Sequence, residues 1–329
     1  MKRTLMTLVG LMLGAAAMAQ DAPPGVPQFP KQTPEEQARQ AAIMEAYNKT
    51  PDTEGTGPYA AMKEVDPGLP NHVVYRPKDM SKVAKGQLGI VAWGNGGCGK
   101  NGAAERMHLL EIASHGYVVI APGGLYGGPG GATEPADPPD MPKMTVRTTT
   151  ADVTAGYEWA LKEAVRAGSP YYGKIDPAKL AVTGFSCGGL QAIEQAGDPR
   201  VKAVVIDNSG VFPDDVKILQ GISAKKATLK TFHTPVIYII GGKKDIAYGN
   251  ATDDFSRIDH VPVMLVQNDA GHGGDFLKPN GGASAAVAVK WLEWQLRGDK
   301  TAGAYFTGPD GIAKDPQWKV EKKNFPTTP

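Results

Sequence analysis

From His72 to Arg297 the chain alternates short, almost unbroken apolar runs with longer amphipathic stretches, and this leaves few folds open. The runs are 72–76 (HVVYR), 88–92 (LGIVA), 117–121 (YVVIA), 180–183 (LAVT), 201–206 (VKAVVI), 235–240 (PVIYII) and 262–266 (PVMLV). Strands that are apolar at nearly every position have both faces covered. The stretches between them predict helices over 102–114, 150–166, 188–196 and 283–297. Strand–helix alternation of this kind gives a mostly parallel central sheet with helices on both faces, an α/β fold. The rhythm is continuous and nothing repeats, so a single domain is expected over 71–329, with a C-terminal tail from about 299.

The chain begins differently. Lys2 and Arg3 precede an apolar run from Leu5 to Ala16, and Ala17-Met18-Ala19 forms a small-x-small site before Gln20. This is the order of a secretory signal peptide, residues 1–19. The other reading is a membrane anchor, but a bilayer span takes about 20 apolar residues. Export to the periplasm or beyond is expected. Residues 20–70 read as an N-terminal extension that wraps the main domain. It opens as a Pro-rich arm. A helix then starts at Thr33, with Pro34 at its first position and Glu36 completing a T-x-x-E capping box. A formal charge of +1 provides no basic field for nucleic acid. No later segment reads as a membrane span, and the sequence does not indicate an oligomeric state.

The strongest motif is Gly184-Phe185-Ser186-Cys187-Gly188-Gly189, between the run 180–183 and a helical stretch. A G-x-S-x-G turn in that setting lifts a serine above the sheet. Its alternative is a glycine-rich turn without chemistry. A serine hydroxyl needs a base to take its proton. Of six histidines, His272 follows the run 262–266 in a glycine-rich loop. His115 sits at a helix end, His108 within a helix, and His72, His233 and His260 at strand starts. The base in turn needs a carboxylate. Asp245 follows the run 235–240 and keeps the chain order Ser, Asp, His. Asp207, Asp253, Asp254 and Asp269 are rivals. Two backbone amides are needed for a developing oxyanion. One candidate is Cys187, and the other is Cys98 or Gly97 in the loop Gly94-Asn95-Gly96-Gly97-Cys98-Gly99. Neither a cofactor nor a metal is called for; no H-E-x-x-H or clustered Cys/His pattern occurs.

Those loops, with the run Ala113-Ser114-His115-Gly116-Tyr117-Val118-Val119, resemble the α/β-hydrolase superfamily, close to its dienelactone-hydrolase-like and polyester-hydrolase-like esterases. The resemblance runs from about residue 71 to 298. It departs from an HGGG-type loop at Asn95 and Cys98, and at the cysteine after the nucleophile. It implies an exported serine hydrolase that cleaves carboxylic esters through an acyl-enzyme on Ser186, with His272 as base and Asp245 as orienting acid. A peptidase or acyltransferase on the same fold is the alternative. A non-catalytic carbohydrate- or surface-binding protein is a third. On this fold Cys98 and Cys187 flank one site, which implies a disulfide between them; two reduced core cysteines are the other possibility. The Gly/Pro-rich segment 122–145 and the segment 208–234 follow strands and are either pocket rim or plain surface loops. Trp93, Tyr126 and Tyr248 are candidate substrate contacts for a small-molecule or polymeric ester, or ordinary loop and core residues.

Overall fold

The computed structural model describes residues 33–325, apart from 143, 217 and 218. The proposed signal peptide and the Pro-rich arm lie outside the described residues. Helix α1 (Pro34–Lys49) begins at the expected capping box, with Thr33 and Glu36 bonded reciprocally. The main sheet then follows. It has nine strands: β1 (Ala61–Glu64), β2 (His72–Pro77), β3 (Leu88–Gly94), β4 (Tyr117–Pro122), β5 (Ile175–Phe185), β6 (Val201–Asp207), β7 (Val236–Ile240), β8 (Val263–Gln267) and β9 (Lys319–Lys323). Their spatial order is β1-β2-β4-β3-β5-β6-β7-β8-β9. The six strands from β4 to β8 run parallel. The strands outside them, β1 and β2 at one edge and β9 at the other, each pair antiparallel with their neighbours. This is the α/β-hydrolase fold in a single domain.

The unbroken apolar runs have a simple cause. Side chains alternate between faces of a strand, and here each face has its own core. In β5, Leu180 and Val182 join one cluster and Ala181 the other; in β6, Val204 and Ile206 oppose Ala203 and Val205. Helix α2 (Arg106–Ser114) and α6 (Gly282–Arg297) cover the face that holds Trp93 and Trp291. Helix α3 (Thr150–Val165) and α4 (Cys187–Gln195) cover the face that holds Tyr157 and Tyr238. Helix α5 (Tyr248–Arg257) also lies on that second face, through Ala251. In α3 the buried residues Val153, Tyr157, Ala160 and Ala164 recur at helical spacing, behind an N-cap made by Thr149 and Asp152.

Two parts were not foreseen as regular structure. Residues 61–64 add a sheet edge, so the N-terminal extension contributes to the main sheet. It is also tied down by buried Arg106, which donates to the carbonyls of Tyr47 (2.6 Å) and Thr50 (2.9 Å) and stacks on the Tyr47 ring. The segment after 299 forms helix α7 (Lys300–Thr307) and the charged edge strand β9. The expected helix 102–114 starts only at Arg106, because residues 102–105 form turns. No helix among the described residues is long and apolar enough to cross a membrane.

Candidate active site

Parallel order sends every strand exit to one end of the sheet, where open α/β folds gather their ligands. Ser186 follows β5 with φ +53°, a conformation non-glycine residues rarely adopt. Close packing holds it there. A Cβ on Gly188 would lie 2.0 Å from the Gly94 carbonyl, and one on Gly184 would lie 2.3 Å from the Gly188 oxygen. Only glycine lets these three backbones meet. The Ser186 amide donates to the Asp207 carbonyl at 2.9 Å, and the Ser209 hydroxyl donates to the Ser186 carbonyl at 2.6 Å.

Ser186 Oγ lies 2.9 Å from His272 Nε2, and His272 Nδ1 lies 2.6 Å from Asp245 Oδ1. Asp245 is buried and its carboxylate is fully partnered. Oδ1 also accepts the Ala247 amide at 2.9 Å; Oδ2 accepts the Gly241 amide at 3.1 Å and the Asn208 side-chain amide at 2.7 Å. Burial alone would raise its pKa. His272 and the two backbone amides outweigh this and hold it below the ordinary aspartate value. Asp207 is the opposite case. It is wholly buried, neither carboxyl oxygen has a partner among the described residues, and burial with the nearby Asp275 charge pushes its pKa far up. Asp254 is spent on Lys226 at 2.6 Å, the Val211 amide and Tyr238. Asp253 also pairs with Lys226 and with Arg257. Of the carboxylates weighed, Asp245 is the one bonded to His272.

Strand β3 pairs with β5 so that Gly94 sits opposite Gly184. The β3 exit loop therefore lies beside the turn that carries Ser186. Cys98 and Cys187 form a disulfide, with Cα atoms 5.2 Å apart. The Cys98 amide, one of the two candidates for the second oxyanion donor, is engaged by the Asn95 carbonyl at 3.0 Å. The Gly97 amide has no acceptor among the described residues. Asn95 ties the loop through its side-chain amide to the carbonyls of Gly99 (2.9 Å) and Pro122 (2.6 Å).

The three candidate substrate contacts separate. Trp93 is not one: it is completely buried, packed between His108 and Phe276 in the core. Of the two readings open for it, substrate contact or ordinary core residue, the burial fits the core one. Tyr126 and Tyr248 are half-buried. Tyr248 opens α5, where its amide bonds the Asp245 carbonyl at 3.0 Å. Tyr126 lies within the segment 122–145. That segment is tied beside the β3 loop: Asp137 bridges Lys100 and Arg147, each at 2.7 Å, while the Arg147 amide bonds the Cys98 carbonyl at 2.9 Å. Asn208 and Ser209 went unread, because a polar pair after a strand looks like any turn. Among the described residues no three His, Cys, Asp or Glu side chains are grouped to hold a metal ion.

A family model described as the dienelactone hydrolase family matches residues 95–292, more than half of the chain, and the chain belongs to that family. A search of curated proteins found no match.

Proposed function

We propose that this member of the dienelactone hydrolase family is an exported serine esterase that cleaves carboxylic esters through an acyl-enzyme on Ser186. One observation carries the reading: the unbroken chain from Ser186 Oγ through His272 to Asp245 Oδ1, at 2.9 and 2.6 Å. An ionised Asp245 can only accept a hydrogen bond, so it keeps the imidazole proton on Nδ1. Nε2 is then bare and takes the Ser186 proton as Oγ attacks the ester carbonyl carbon. The carbonyl electrons move to oxygen, which the Cys187 and Gly97 amides receive. His272 next protonates the departing alcohol. It then deprotonates a water molecule that attacks the acyl-enzyme and frees Ser186. Residues 1–19 serve as the export signal and 20–70 as an extension whose strand β1 joins the sheet of the hydrolase domain, 71–329. The Cys98–Cys187 bridge supports an oxidising destination. Tyr126 and Tyr248 are the remaining candidates for contacts to the acyl or alcohol group.

A fluorophosphonate probe tests the nucleophile. The full chain should be labelled on Ser186, and Ser186→Ala should lose both labelling and hydrolysis of p-nitrophenyl esters. Labelling that persists in Ser186→Ala would refute the assignment. An anilide cleaved as fast as the matching ester would move the reading to a peptidase.

A further inference from the structure

We propose that Asn208, at the exit of β6, is a positioning residue that sets the reach of His272 by joining the two loops carrying the acid and the base. The inference rests on the reading of Ser186, His272 and Asp245 given above. Asn208 is buried, with φ +45°. One nitrogen, Nδ2, donates to Asp245 Oδ2 at 2.7 Å and to the Gly271 carbonyl at 3.0 Å. Both partners are acceptors only, so the amide orientation is fixed by chemistry. Gly271 immediately precedes His272. A two-pronged donor thus ties the carboxylate to the peptide that begins the imidazole's own residue.

The neighbours on either side complete the pattern. The Asp207 carbonyl accepts the Ser186 amide, and the Ser209 hydroxyl donates to the Ser186 carbonyl. Three consecutive residues at one strand exit therefore hold the nucleophile turn, the acid and the base loop together. None of them touches the reacting atoms. A hydrogen bond to a charged acceptor is worth about ten- to a hundredfold in an equilibrium. Catalytic geometry is sensitive to displacements of about 1 Å.

Asp245 is the titratable group bonded to the amide; His272 follows Gly271 on the second loop, and the preceding residue, Asp207, is buried and feels the charge of Asp275. Lys243 and Lys244 on the Asp245 loop are exposed.

Two variants of the full chain test the inference, with ester hydrolysis and the rate of fluorophosphonate labelling as readouts. Asn208→Ala should lower kcat about 10- to 100-fold, slow labelling equally, leave KM nearly unchanged and still melt cooperatively. Asn208→Asp places a second carboxylate against Asp245. Two carboxylates sharing a site retain a proton to higher pH, and that O–H replaces the lost N–H donor. Its activity relative to wild type should therefore rise as pH falls into the range where the added carboxyl holds its proton. A side chain that only filled space would leave that ratio flat. Asn208→Asp is nearly isosteric, so the ratio decides the matter even if Asn208→Ala does not fold. A flat ratio, or wild-type kcat and labelling rate in Asn208→Ala, overturns the inference while Ser186→Ala remains inactive. Activity in Ser186→Ala would overturn the underlying reading, and this inference with it.

Discussion

The two halves of the site are held by different means. On the nucleophile side, Gly94, Gly184 and Gly188 pack backbone against backbone, and a disulfide ties the β3 loop to the residue after Ser186. Steric contact and a covalent bond fix that half. On the acid–base side, Asp245 and His272 sit on loops joined by the bond between the Gly271 amide and the Gly241 carbonyl at 2.9 Å, and by the Asn208 side chain. Directional hydrogen bonds fix this half. The contrast suits the proposed chemistry. The nucleophile and oxyanion donors need a fixed frame, whereas the imidazole exchanges protons and needs its tautomer set by acceptors.

The largest effect should come from breaking the acid–base side at its charge. Asp245→Asn replaces an acceptor by an amide that can present N–H to His272 and favour the wrong tautomer. It should lower kcat by about 10⁴-fold, with KM, the far-ultraviolet spectrum and the disulfide intact. A loss of less than about tenfold would mean that His272 is oriented by the loop alone. On the other side the covalent tie should matter mainly for stability. The bridge spans 89 residues, and by the chain-entropy estimate such a loop adds about 4–5 kcal/mol. A Cys98→Ser/Cys187→Ser protein should show that loss in urea unfolding, while catalysis in the folded fraction falls less than in Asp245→Asn. Alkylation of native, unreduced protein that found two free thiols would remove the contrast altogether.

Much of this was legible in the sequence, for a definite reason. The six central parallel strands and the helices between them announce themselves because both sheet faces are buried, which forces apolar residues at consecutive positions. Ser186, Asp245 and His272 stand out because each follows such a strand in a glycine-rich loop. What escaped was carried by partners distant in sequence. Strand β9 reads Lys-Val-Glu-Lys-Lys and is largely exposed. Its charge blunts a sheet edge and hides the strand. Trp93 could be read either as a substrate contact or as a core residue, because alternation alone does not say which face of a strand end a helix will cover. Asn208 acquires its partners 37 and 63 residues away, and no local pattern marks them.

Two buried carboxyl groups sharpen the comparison through pH. Asp245 has donors on both oxygens and is held low. Glu105, at the start of α2 beneath the β3 loop, is buried with Oε2 unpartnered among the described residues. Burial pushes its pKa up to about 7, offset only in part by the Trp93 indole and the Gly96 amide beside it. The two groups shape stability with opposite signs. Asp245, lowered on folding, adds stability that is present above about pH 4 and lost as pH falls through its folded value. Glu105, raised on folding, keeps its proton in the native state after the unfolded chain has released it. Native protein then binds more protons than unfolded protein between about pH 4.5 and 7, so stability falls as pH rises through that window and levels off above it. The full excursion corresponds to about 3 kcal/mol at most. Glu105→Gln should remove this slope. The variant should match wild type near pH 4 and exceed it in unfolding free energy at pH 8. An unchanged slope in Glu105→Gln would show that the β3 loop tolerates the carboxylate, and that the nucleophile side depends on its disulfide and glycine contacts alone.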